Sequence, residues 1–170
     1  MKIKKVYREE MPALRLIGIP YSEDEIREKG GFPWLWDEWI KKKLFGKFQG
    51  MKPLEGFEKA MIGGRCHEGK FTYWIGMFFP VRTDAPEGFQ QVDLPKGDLG
   101  TCWVYGEDTF EAPDLHGEDV HRQCMEKLRD KGMKPLEDYW IFERYHTPRF
   151  TEPDEKGNVI MDYCMYVERE

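Results

Sequence analysis

Apolar and polar positions along the chain fall into two successive sets with the same order of elements. Ala13-Leu-Arg-Leu-Ile-Gly-Ile-Pro-Tyr reads as a strand stopped by Pro20, and the charged stretch 22–31 as a glycine-ended connection. Phe32-Pro33 opens a helix, because a first-turn residue needs no amide hydrogen. Trp36, Ile40, Leu44 and Phe48 follow at intervals of four, with Leu35 and Trp39 beside them, which predicts one broad apolar stripe on a helix ended by Gly50. Lys41, Lys42, Lys43 and Lys47 make its solvated face. Residues 57–66 and 70–79 then read as the strands of a hairpin turned at His67-Glu68-Gly69. In the second strand Phe71, Tyr73, Ile75, Met77 and Phe79 alternate with Trp74 and Phe78, so neither face is polar. Such a strand needs a layer on each side, with helices covering one and the other free to line a cavity.

After the turn-rich stretch 82–88 the order starts again. Leu-Gly-Thr-Cys-Trp-Val-Tyr over 99–105 is the strand, with Leu99, Thr101, Trp103 and Tyr105 on one face. An acidic loop over 106–117 precedes a helix over 118–131, which carries Val120, Cys124 and Leu128 at spacing four and ends at Gly132. Tyr-Trp-Ile-Phe-Glu-Arg-Tyr over 139–145, between Pro135 and Pro148, is a strand, and 158–167 is the last. Corresponding elements lie roughly 82 to 88 residues apart, about half the chain. The expected fold is therefore α+β: two strand-helix-strand-strand repeats, 1–85 and 86–170, related by a pseudo-twofold axis within a single domain. Antiparallel sheets would carry helices on one side and leave a central cleft between the repeats.

Composition narrows what such a cleft can do. Aromatic residues make up 15% of the 170-residue chain, six Trp among them, more ring surface than packing alone usually requires. A net charge of −6, from 26 basic and 32 acidic residues, gives no footprint for a phosphate backbone, so nucleic acid is not an expected partner. No apolar run approaches the roughly 20 residues that cross a bilayer, and Met-Lys-Ile-Lys-Lys-Val-Tyr at the start lacks the apolar centre of a secretory signal. A soluble, cytoplasmic protein is expected. Cys66, Cys102, Cys124 and Cys164 are widely spaced and read as reduced, mostly buried residues; no metal site or cofactor is signalled. His116 and His121 flank acidic residues at the start of the second helix, His67 and Cys66 fall in a predicted turn, and Gly63-Gly64 lacks the pattern of a phosphate loop.

The chemistry centres on Glu143. On the strand 139–145, alternation puts Tyr139, Ile141, Glu143 and Tyr145 on one face and Trp140, Phe142 and Arg144 on the other. A carboxylate among apolar neighbours has to be neutralised by protonation, by a hydrogen-bond donor or by a cation, which can come from outside the protein. An internal salt bridge to Arg15 or Arg65 is the bland alternative.

Taken in order, Ala13-Leu-Arg-Leu-Ile-Gly-Ile, Tyr73-Trp-Ile-Gly, Pro86-Glu-Gly-Phe with Leu94-Pro-Lys-Gly, and Phe142-Glu-Arg-Tyr span nearly the whole chain. Together they resemble the GyrI-like small-molecule-binding domains, which also serve as effector-binding domains of AraC-type regulators. The resemblance implies two strand-helix-strand-strand modules around an aromatic pocket for lipophilic, often cationic compounds, with Glu143 at the position of the charge-accepting glutamate. The family often has alanine where Lys96 stands in Leu94-Pro-Lys-Gly. The two repeats use the whole length given, leaving no DNA-reading helix pair, so a stand-alone sensor or sequestering protein is expected.

Three functions compete. The first is a binding protein for lipophilic, cationic or flat aromatic molecules, with Glu143, Tyr145, Trp39, Tyr73, Trp103, Tyr105 and Tyr163 as the binding residues, or else ordinary core. The second, permitted by the resemblance, is a detoxifying hydrolase of strained cyclopropane-containing alkylating compounds. Glu143 would then act on a water and Tyr145 on the developing oxyanion, and apolar neighbours would raise the glutamate pKa and make it a better base. The third is a protein partner engaged through the acidic stretches 107–119 and 152–155.

Overall fold

A computed structural model of the chain describes residues 1–67, 69–108 and 115–170. Elements follow the order β1 (Lys2–Met11), β2 (Leu14–Ser22), α1 (Glu23–Glu28), α2 (Phe32–Lys41), a 3-10 turn (Leu44–Phe48), β3 (Ala60–Cys66), β4 (Thr72–Pro80), β5 (Gln90–Leu94), β6 (Gly97–Glu107), α3 (Glu118–Asp130), β7 (Ile141–His146) and β8 (Asn158–Val167). Residue 68 of the expected hairpin turn and 109–114 of the acidic loop lie outside the described residues.

All eight strands join one antiparallel sheet in the order β1-β6-β8-β7-β3-β4-β2-β5. The order is symmetric about the β7–β3 pair: β6, β7 and β8 on one side answer β2, β3 and β4 on the other. The strand preceding each set crosses over to pair with the opposite set, β1 on β6 and β5 on β2. Where separate sheets were expected, β3 and β7 pair through Ala60–Arg65 and make one.

The short links force this sheet to curl. β1 and β2 are six positions apart in the sheet, which in a flat array would be roughly 29 Å at about 4.8 Å per strand. Only Pro12 and Ala13 join them, a reach of about 11 Å. Pro95 and Lys96 join β5 to β6 under the same constraint, and the Tyr166 hydroxyl donates to the Pro95 carbonyl at 2.9 Å. The ends of the sheet therefore meet over one face, where Met11, Leu14, Leu94, Leu99, Phe78, Phe142 and Tyr166 form a core without a helix.

Both long helices cover the other face. Leu35 and Trp39 of α2 pack with Ile17, Tyr73, Ile75 and Phe79, while Val120, Cys124 and Leu128 of α3 pack with Cys102, Tyr145 and Tyr163. Between the helices lies the β7–β3 seam.

Several elements depart from the pattern-based expectation. The helix from Phe32 ends at Lys41, because Lys43 turns left-handed (φ 52°), and Leu44 to Phe48 continue as a 3-10 turn. Within the shorter helix the buried residues are Leu35 and Trp39, and Ile40 is 65% exposed. The stretch after Tyr21 is not a plain connection but α1, closed by a capping box in which Ser22 Oγ accepts from the Glu25 amide at 3.2 Å and the Glu25 carboxylate from the Ser22 amide at 2.7 Å. Strands β1 and β5 lie at the sheet edges, where half-exposed, charged residues hide the alternation.

Candidate functional site

A single transverse row fixes the site. Val6, Cys102, Tyr163, Glu143, Gly63, Ile75 and Ile19 are successive cross-strand partners, so all seven point to the helix-covered face. Glu143 stands in the middle of this row. Its neighbour on β3 is a glycine, and a Cβ at Gly63 would come within 2.6 Å of the Tyr73 hydroxyl and 3.2 Å of Trp36. The missing side chain makes room for those two rings beside the carboxylate.

Rings surround Glu143 on three sides. Tyr145, two residues along β7, donates its hydroxyl proton to the Glu143 carboxylate. Trp36 of α2 meets the Tyr145 ring edge-on at a centroid distance of 5.0 Å, and its Nε1–H donates to the Tyr73 hydroxyl at 2.8 Å. Tyr163, the β8 partner of Glu143, accepts from Arg65 and lies 2.8 Å from His121 Nδ1. Because Arg65 donates to that oxygen, the Tyr163 proton is free to point at the imidazole.

The carboxylate is not alone. His116 Nδ1 lies 3.6 Å from Glu143 Oε2, and the other imidazole nitrogen is 3.4 Å from Asp108. Burial by itself would push the Glu143 carboxyl up, but the His116 imidazolium, the Tyr145 hydroxyl and Arg65 outweigh it and hold the group below the ordinary carboxylate value. Burial works against the charged imidazole too, yet Asp108 and Glu143 together raise His116 to about 10. Tyr145 and Tyr73 are held protonated by burial and by the Glu143 charge. His121 is pushed down by burial and by Arg65, and so stays neutral. The site thus holds an ionised carboxylate, an imidazolium and a guanidinium within a wall of phenols and indole.

Four of the residues singled out by sequence come together here: Glu143, Tyr145, Tyr73 and Tyr163. Trp103 and Tyr105 do not. Trp103 pairs with Asp162, which pairs with Arg144, so pleat alternation puts both aromatics on the opposite face of the sheet. There Trp103 lies under the Arg149 and Lys5 side chains. Trp39 points into the core below α2, its Nε1–H bonded to the Tyr21 hydroxyl at 2.8 Å, and the ring facing the site is Trp36. Arg15 pairs with Asp93 at 2.7 Å, away from Glu143. The expected rise in the Glu143 pKa is reversed, because His116 supplies a positive charge that strand alternation could not reveal. The sequence marked His116 only for the acidic residues beside it, with nothing to link it to Glu143, 27 positions away along the chain.

Two surface depressions among the described residues lie away from Glu143 itself. One of about 200 Å³ lies beside Leu136, Tyr139 and Tyr166, and one of about 590 Å³ lies at Glu118, Asp119, His121 and Arg122. Trp36 packs on Tyr145 and Tyr73 beside the carboxylate, and His116 reaches it at 3.6 Å. Among the described residues no cluster of side chains is arranged to hold a metal ion, and no helix is long and apolar enough to cross a membrane.

The architecture has close counterparts. SAV2435 bound to tetraphenylphosphonium aligns over 97% of this chain and 94% of its own, with a TM-score of 0.63 at 14% sequence identity. The EcmrR C-terminal domain aligns over 100% of both chains, with a TM-score of 0.59 at 10% identity. The chain has the GyrI-like fold. A Staphylococcus aureus MU50 protein provisionally assigned to bacterial transcription regulation shares it, with a TM-score of 0.61 at 14% identity over 97% of this chain and 99% of that one. No protein-family model matches the sequence, and no curated protein matches it either. Within the GyrI-like frame, Glu143 lies on the central pair of strands, between the two helices that cover the sheet.

Proposed function

We propose that this GyrI-like chain binds lipophilic organic cations, including flat aromatic ones, with Glu143 as the charge acceptor and Trp36, Tyr73, Tyr145 and Tyr163 as the aromatic wall. Drug sensing or sequestration in the cytoplasm by one domain of two repeats, 1–85 and 86–170, would be the biological use. The observation that carries the proposal is an ionised carboxylate, only 13% exposed, at the centre of a ring-lined seam. Aromatic faces attract a cation through their quadrupoles, by about 0.5 to 2 kcal/mol each depending on desolvation, and the carboxylate adds direct charge complementarity. Tetraphenylphosphonium bound to SAV2435 has this chemistry on the same fold.

A hydrolytic role would need Glu143 to act as a base, and the His116 imidazolium that lowers its pKa works against that while it stays in place. The test of binding is calorimetry with tetraphenylphosphonium and the neutral triphenylphosphine oxide. Glu143→Gln should weaken the cation by on the order of tenfold to a hundredfold, the worth of a hydrogen-bonded charge, and leave the neutral compound nearly unchanged. Equal loss for both would reject the charge role.

A further inference from the structure

We infer that His116 is the site's built-in cation, and that a ligand cation binds by exchange with it. The inference rests on the proposed cation binding at Glu143 and adds how that binding is regulated. The geometry is specific. His116 reaches Glu143 Oε2 from outside the seam at 3.6 Å, while its other nitrogen leans on Asp108 at 3.4 Å. Arg65 already contributes a second positive charge to the surroundings of Glu143. A permanent cation added without any departure would put three positive charges around one buried carboxylate, a crowding that low dielectric penalises.

The exchange is feasible because the two partners are held differently. Glu143 is locked from below by the Tyr145 hydroxyl and keeps 13% exposure, whereas the His116 side chain is 35% exposed and Asp108 41%. His116 also directly precedes Gly117, the residue at the N-terminus of α3, where the positive end of the helix dipole disfavours an imidazolium. Its charge is thus retained by the two carboxylates alone. When a cation takes Glu143, His116 keeps only the half-exposed Asp108, its affinity for a proton falls, and part of that proton goes to solvent.

The groups that set the balance are spread over six elements: Asp108 beyond β6, Glu143 and Tyr145 on β7, Arg65 on β3, Tyr73 on β4, Tyr163 on β8 and His121 on α3. Burial keeps the three tyrosines protonated across the neutral range, His121 is already neutral, and the Glu143 carboxyl is held below its ordinary value. His116 is therefore the group whose charge changes as pH rises from neutrality towards about 10.

The test is titration of the full chain with tetraphenylphosphonium at several pH values between roughly 6.5 and 9.5, in buffers of different ionisation enthalpy. Wild-type affinity should rise with pH, by at most about tenfold per unit as the competing proton is lost, with proton release on binding at pH 7. His116→Ala and His116→Gln should each bind about tenfold or more tighter than wild type at pH 7, with a flat pH profile and no released proton. If either variant, folded by circular dichroism, binds like wild type or more weakly while Glu143→Gln still loses the cation, His116 supports the ligand or is irrelevant to it, and the exchange is wrong. If Glu143→Gln binds the cation as wild type does, the proposed binding at Glu143 fails instead.

Discussion

The indole of Trp36 stands edge-on to the Tyr145 ring, 5.0 Å between centroids at an interplanar angle of 78°, and Tyr145 in turn hydrogen-bonds the Glu143 carboxylate. One ring of α2 thus packs on the residue that hydrogen-bonds the charged group. Trp36→Ala would remove this edge-to-face pair and leave the Tyr73 hydroxyl without its donor. A loss of about 2 kcal/mol is expected in urea unfolding, on the small side for a tryptophan because this one is only half-buried. The same variant should make Glu143 more accessible, seen as faster amide exchange along β7 and β3.

The His116–Glu143 pair gives stability a definite pH profile. His116 has its pKa raised in the folded state, so its contribution is fully present below the unfolded value near 6.5 and is lost as pH rises towards about 10. Glu143 has its pKa lowered, so its contribution is present above the ordinary carboxylate value and is lost as pH falls through the folded one. The urea midpoint of wild type minus that of His116→Gln should therefore shrink from pH 6.5 to pH 10. Exposure of the imidazole keeps the amplitude small. Imidazole NMR should show a midpoint for His116 well above 6.5 that drops in Glu143→Gln.

On the opposite face Asp162 is fully buried and takes two guanidinium groups, Arg144 Nε at 3.1 Å and Arg149 Nε at 2.9 Å. Arg144 in turn donates to Glu9 at 2.6 Å, and the Thr101 hydroxyl donates to the same Glu9 oxygen at 2.7 Å. Asp162→Ala would leave those positive groups facing each other out of water. A destabilisation of about 3 to 5 kcal/mol is expected in chemical denaturation, a large share of the roughly 5 to 15 kcal/mol that ordinarily holds a domain folded.

Trp103 and Tyr105 share that opposite face, so neither can reach a cation held at Glu143. Trp103→Ala and Tyr105→Ala should leave the tetraphenylphosphonium affinity within about twofold of wild type, the usual spread for changes away from a site. Tyr163→Phe is the contrasting variant. It keeps the ring but removes the hydroxyl that accepts from Arg65 and contacts His121, and calorimetry should show a change there.

The sequence by itself determined the order of the repeated strands and helices, the alternation that puts Glu143 and Tyr145 on one face, and the GyrI-like character of the whole. The first two follow from the periodicity of side chains along single elements, which needs no knowledge of what lies across from them; the third is a resemblance carried by short motifs taken in order. Tertiary structure decided everything that depends on neighbours. It showed that Trp36 rather than Trp39 meets Tyr145 and Tyr73 beside the carboxylate, because Trp39 is buried in the core below α2 and bonded to Tyr21. It put Trp103 behind the sheet, because cross-strand register rather than aromatic character chooses the face. And it brought His116 onto Glu143 from a turn before α3, reversing the direction of the carboxyl's pKa, because long-range electrostatics depends on distances through space that residue spacing along the chain does not encode.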